Sequence, residues 1–226
     1  MAVSGSRLDR AGATARAIRL LRLDCSPRGE QAHSARIATE LVHRLSMLVP
    51  GLLINRRDLA HDPPSFVDAD YTRDMGGHRT AESAADVASL ATSKALIGEL
   101  ETTDFLVIAT PMHNFTVPAV LKAWIDQVLR VGRTFETTPT GKVGRLRDRP
   151  AYSVISAGEF VTSARARQTD FLTPYLTSVL ETIGITSAQF IRVEAAGRTA
   201  DDRARAYGEA RSQIAALPAP PRISSD

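Results

Sequence analysis

The chain has a single cysteine, Cys25, among its 226 residues. One thiol cannot build an intrachain disulfide framework or a Cys-rich zinc site, and it fits a reducing, cytoplasmic setting. No metal site is expected. No apolar run approaches the roughly 18 residues that a membrane-spanning helix needs, so no membrane partner is expected either. The formal net charge is only +3. No Lys/Arg cluster interleaves with aromatic residues, which argues against a nucleic-acid surface. Residues 1–17 are rich in Ala, Ser, Gly and Arg and lack the apolar stretch of a secretory leader. They are expected to be a disordered N-terminal extension, and residues 218–226 a flexible tail. No internal repeat is visible.

The whole chain is 43% apolar and 23% charged, enough for one globular domain with a substantial core, expected over residues 18–217. Ile18 to Asp24 alternates Ile and Leu with Arg and reads as a first strand. A polar loop follows, and Ser34 is expected to cap a helix whose Ile37, Leu41, Leu45 and Leu48 recur at helical spacing. Leu52 to Ile54 reads as a short second strand. Residues 58–82 read as irregular, and a loop of that length is often functional. A helix is expected from about Ser83 to Leu100. The unbroken run Phe105 to Ala109 predicts a central strand buried on both faces. Pro118 suits the first turn of a helix carrying Leu121, Trp124, Ile125, Val128 and Leu129. Gly132 to Arg149 reads as a hairpin excursion with Thr138 to Gly141 at its tip. A fourth strand is expected at Ala151 to Ile155, then a helix closed by Gly184, a last strand at Gln189 to Val193, and a last helix to Leu217.

Strands alternating with helices predict an α/β fold, a doubly wound five-stranded parallel sheet with helices on both faces. With the first and third strands central, the expected order is 2-1-3-4-5, the flavodoxin-like order. Ligands in such sheets lie beyond the carboxyl ends of the strands at the topological switch point. That rule selects the loops 25–34, 110–117 and 156–167.

The first loop joins a strand to a helix N-terminus and carries Ser26, His33 and Ser34. Unpaired helix N–H groups and the helix dipole favour an anion there. The loop matches neither G-x-G-x-x-G nor the P-loop pattern, which argues against a Rossmann dinucleotide site and an NTPase. A phosphatase nucleophile at Cys25 would need Arg six residues on, and Gln31 stands there. Cys25 therefore reads as a small buried residue at a strand end. In the second loop, Pro111 and Pro118 fix the backbone around Met112, His113, Asn114 and Phe115. Rigid backbone polar groups beside apolar side chains suit a flat heteroaromatic ring.

The runs Ala109 to Pro118, Leu121 to Asp126 and Arg130 to Phe135 resemble the bacterial FMN-dependent NADH-azoreductase and quinone-reductase family. So do Asp24 to Gly29 with Ser34, and Leu172 to Leu176 before Ile183-Gly184-Ile185. The resemblance implies a homodimer with one FMN per subunit and no metal. It implies NADH or NADPH as donor and quinones or azo compounds as acceptors, with ping-pong turnover in which donor and acceptor use one space in turn. By the same resemblance Ser26 and Ser34 hold the FMN phosphate, and Ala32 and His33 beside them are cofactor-binding. Pro111, Met112, His113, Asn114 and Phe115 line the isoalloxazine, and Ser156, Ala157, Gly158 and Glu159 form the third flavin loop. The chain departs from the family where His113 replaces Tyr, Ala32 replaces Ser, and Ser156-Ala157-Gly158-Glu159 replaces Ser-Arg-Gly-Gly.

Two residues carry open alternatives. His113 either protonates the reduced acceptor or packs where Tyr normally packs. Glu159 either lowers the flavin potential by charge repulsion or is a solvated loop residue. No catalytic side chain is required for the hydride step. The competing function is a non-enzymatic FMN electron carrier, which slight basicity and the excursions at 58–82 and 132–149 argue against.

Overall fold

The computed structural model describes residues 16–76, 88–162, 164 and 166–219. The strands are β1 (Arg19–Asp24), β2 (Leu53–Asp58), β3 (Phe105–Pro111), β4 (Phe135–Thr138), β5 (Gly141–Gly144), β6 (Ala151–Ala157) and β7 (Ala188–Glu194). The helices are α1 (His33–Leu48), α2 (Ala69–Gly76), α3 (Ala91–Glu101), α4 (Ala119–Val128), α5 (Leu172–Thr182) and α6 (Ala200–Ala216).

One five-stranded sheet runs β2-β1-β3-β6-β7, all parallel. The flavodoxin-like α/β architecture is therefore present, but counted along the chain the order is 2-1-3-6-7 and not 2-1-3-4-5, the strands expected at Ala151 to Ile155 and Gln189 to Val193 being β6 and β7. The strands fourth and fifth in the chain, β4 and β5, pair antiparallel with each other outside the sheet, and β6 and β7 complete it. The reason is local. Thr138 faces Gly141 across a tight tip, so residues 135–144 satisfy their backbone groups among themselves. The base of this hairpin packs on the turn after α5. A Cβ on Gly144 would fall inside the backbone of Gly184, whose own φ of +98° favours glycine.

The core has two halves. Leu20 of β1, Val107 of β3 and Val154 of β6 pack beneath α1 and α6, while Leu21, Leu23, Leu106 and Ile108 pack beneath α3, α4 and α5. β3 is buried along nearly its whole length, as its apolar run predicts.

Three expectations change. β2 continues to Asp58 because it pairs with β1 to the end, in register Asp24 with Asp58. Residues 69–76, read as irregular, are helical, with Asp68 Oδ1 accepting from Tyr71 N at 2.8 Å. α1 begins at His33 with Ala32 as N-cap and no side-chain cap, so Ser34 is not the cap but lies inside the first turn. The segment before α2 is held down: Gln127 Nε2 donates to the Ser65 carbonyl at 2.8 Å. The first 15 residues of the expected extension, residues 77–82 of the expected loop, the start of the expected helix at Ser83, and the tail from 220 lie outside the described residues.

Candidate functional site

The carboxyl ends of β1, β3 and β6 bring the three loops to one edge of the sheet. Cys25 N donates to the Ala109 carbonyl at 2.9 Å and Met112 N to the Ser156 carbonyl at 2.8 Å, so the first and third loops flank the second.

In the first loop, Ser26 and Ser34 are buried. Among the described residues Ser26 Oγ accepts only from Arg28 N, at 3.3 Å. Ser34 is fully buried, and its Oγ has no hydrogen-bond partner among the described residues. The N–H groups of His33, Ser34 and Ala35 likewise take no backbone partner among the described residues. An uncapped first turn with an orphaned hydroxyl inside it is costly in isolation and is satisfied by an anion. Ala32 offers less, because it has no hydroxyl and its N–H is spent on the Gly29 carbonyl at 3.1 Å. His33 turns to α6, its Nδ1 at 2.9 Å from the Tyr207 hydroxyl. Burial lowers its pKa, and the nearby Arg28, Arg203 and Arg36 push it further down. Burial and then the Asp24 carboxylate push the Cys25 thiol up, which keeps it protonated and unreactive.

The second loop is a two-residue turn. His113 N donates to the Thr116 carbonyl at 2.9 Å, and Thr116 N donates back at 3.1 Å. Asn114 at φ 46° and Phe115 at φ 76° occupy the left-handed region. For a bulky residue such as Phe this is strained, and such strain gathers at ligand sites. Phe115 is 49% exposed, beside Phe171 at 57%, and Phe171 N donates to the Phe115 carbonyl at 3.2 Å. Gln168 Nε2 lies 3.2 Å from Met112 Sδ. His113 and Asn114 are exposed.

In the third loop, Ser156 and Ala157 end β6, and the Ala157 carbonyl accepts from Ala195 N at 2.9 Å. Gly158 is exposed. Glu159 is not a bare charge, since Arg198 Nη1 lies 3.3 Å from its carboxylate.

The fit to FMN rests on these observations. The buried, unpartnered donors of the first turn suit a phosphate, and the rigid turn with its aromatic and thioether neighbours suits a flat ring. Among the described residues, no group of three or more His, Cys, Asp or Glu side chains comes together as a metal site. None of their helices is long and apolar enough to cross a membrane.

The family described as "Flavodoxin-like fold" matches residues 18–217. An FMN-dependent NADH:quinone oxidoreductase of Pseudomonas fluorescens is 45% identical over 200 residues, covering 88% of this chain and 95% of its own. Another, from Cupriavidus pinatubonensis, is 42% identical over 189 residues, covering 84% and 92%. The chain belongs to the flavodoxin-like family of FMN-dependent NADH:quinone oxidoreductases. The fold is shared with an azoreductase from Bacillus anthracis, with a TM-score of 0.75 at 22% identity over 88% of this chain and 97% of that one.

Several residues at the site escape sequence reasoning. Phe171 and Gln168 belong to the segment after the third loop and reach the second loop only through tertiary packing. Arg22 and Asp24, both buried in β1, sit beneath the first loop. The one signal for them is position: they share the strand face of Leu20, which a helix covers.

Proposed function

We propose that this chain is an FMN-dependent NADH:quinone oxidoreductase, moving two electrons from NADH through FMN to a quinone. Azo compounds, flat and reducible by two electrons like quinones, are a second acceptor class. The observation that carries the reading is the uncapped first turn of α1, with Ser34 Oγ buried and unpartnered. That turn faces the same sheet edge as the rigid Pro111–Phe115 loop.

FMN supplies the hydride chemistry when bound. The chain supplies binding, orientation and shielding. Ser26, Ser34 and the N–H groups of the first turn hold the phosphate. Ala32 and His33 shape this cradle, His33 with its ring anchored on Tyr207. Pro111, Met112, His113, Asn114 and Phe115 hold the ring, and Ser156, Ala157, Gly158 and Glu159 close its edge. Arg198 tempers the charge of Glu159 and so reduces its leverage on the flavin potential. His113, exposed and at the turn, packs against the ring rather than acting as the acid. Turnover is ping-pong, donor and acceptor using one face in turn. The working unit is a cytoplasmic homodimer whose FMN domain spans residues 18–217.

Stopped-flow mixing of the yellow holoprotein with NADH, then with a quinone, tests the reading. Bleaching by NADH followed by quinone-dependent recovery is expected. A chain that binds no FMN, or a bound flavin that NADH leaves oxidised, overturns it.

A further inference from the structure

Arg22 lies within β1 at 7% exposure, and Asp24, two residues on, at 2%. Both share the α1 face with Leu20. Two charges buried there are unfavourable unless fully partnered, and an apolar residue would fill the position at lower cost. The guanidinium spends its donors in one place. Nε and Nη2 hold Asp24 Oδ1 at 3.1 and 2.9 Å, Nη2 reaches the Ala35 carbonyl at 3.1 Å, and Nη1 reaches Thr39 Oγ1 at 2.9 Å. The Thr39 hydroxyl itself donates to the Ala35 carbonyl at 2.9 Å. Ala35 belongs to the turn that carries Ser34 and the free N–H groups. The other Asp24 oxygen accepts from Arg56 Nε of β2 at 2.5 Å, and Arg56 also reaches Glu30 at 3.1 Å.

We propose that Arg22 is a positioning residue for the phosphate cradle. Through Ala35 and Thr39 it fixes the first turn of α1. Through Asp24 it cancels a buried carboxylate that would otherwise oppose an incoming phosphate dianion from the strand end just before Ser26. Charges in this poorly solvated position act over several ångströms. The isoalloxazine carries no such charge, so the effect of Arg22 falls on the phosphate and not on the ring. This inference rests on the FMN reading above.

The test is fluorescence titration of the full chain, freed of flavin, with FMN and with riboflavin. Wild type is expected to prefer FMN strongly. Arg22→Met is expected to weaken FMN at least about tenfold while riboflavin stays within about twofold. Arg22→Met/Asp24→Asn, which removes both charges, is expected to recover most of the loss. Arg22→Lys keeps the charge but not the fork, and is expected to fall between wild type and Arg22→Met. It carries the test if the methionine variant does not fold. A wild type that prefers FMN, with variants that weaken both ligands alike or neither, overturns the role of Arg22 alone. A double variant no tighter than Arg22→Met does the same. A wild type that binds FMN no better than riboflavin overturns the cradle itself, and this proposal with it.

Discussion

Two sites at opposite ends of the sheet, the cluster around Arg149, Asp104 and Asp148 and the first turn of α1, treat their polar groups in opposite ways. At the amino-terminal end, Arg149 is 4% exposed and its guanidinium donates to the carbonyls of Leu100, Thr103 and Arg147. Asp104 beside it accepts from Arg16 at 2.5 Å, Arg147 at 2.7 Å and the Arg19 N–H at 2.9 Å. Asp148 accepts from both the N–H and the hydroxyl of Thr186 and of Ser187. At the carboxyl-terminal end, Ser34 Oγ has no partner among the described residues, α1 has no side-chain cap, and Asn114 and Phe115 hold a strained backbone. Satisfied groups stabilise the fold. Unsatisfied and strained ones gathered at a single edge, as Ser34, Asn114 and Phe115 are, point to a ligand that completes the structure.

Substitutions at the two ends should therefore separate stability from binding. The largest effect is expected from Arg149→Met, which removes the guanidinium donors to the Leu100, Thr103 and Arg147 carbonyls and leaves Leu100 with the Thr103 N–H. Urea unfolding should show a loss of about 2 kcal/mol, with FMN affinity of the folded fraction unchanged. A matching loss of affinity would dissolve the distinction.

Phe115→Gly acts at the other end. Relief of a φ of +76° offsets the extra freedom of glycine in the unfolded chain, so stability should hold or rise by up to ~1 kcal/mol. Loss of the ring should weaken FMN about five- to tenfold. A fall in stability of the flavin-free chain would show that the turn is not strained.

Asp148 gives a pH signature. Burial raises its pKa, but the hydrogen bonds from Ser187 and Thr186 together outweigh burial and bring it to about 2, from an ordinary 3.8. A depressed carboxyl contributes stability that is complete above the unfolded value and lost as pH falls through the folded one. Wild type should thus lose roughly 1 kcal/mol from this exposed group between about pH 4 and pH 2, after discounting for solvent screening. Melting curves of Asp148→Asn should lack that part of the decline, and curves parallel to wild type would contradict it. The smallest effect is expected from His113→Phe: an unchanged pH–rate profile with quinone. A lost alkaline or acidic limb would restore His113 as the acid.

Periodicity carried most of the fold into the sequence. The run Phe105 to Ala109, the stripe from Ile37 to Leu45 and the Thr138–Gly141 tip are local patterns, and each element formed where its pattern lay. α2 was not legible because it is short and polar, and its start depends on one Asp68 hydrogen bond. Ser34 looked like a cap because Ser commonly is one. Only the loop geometry, with Ala32 extended at ψ 141°, shows the cap lying two residues earlier. The left-handed Phe115 could not be read either, since phenylalanine's own preference opposes it. The alternation over Ile18 to Asp24 reads as a strand, but the pairing that lets Arg22 and Asp24 be buried there is a property of the assembled fold. The candidate site was legible as three loops, and its wiring was not.

Ser34→Ala puts the central claim to the most direct test. Its hydroxyl has no partner to lose among the described residues, so the flavin-free chain should be as stable as wild type or slightly more so in urea. FMN should bind about tenfold more weakly, with riboflavin unaffected. A destabilised chain whose FMN affinity is unmoved would contradict the account.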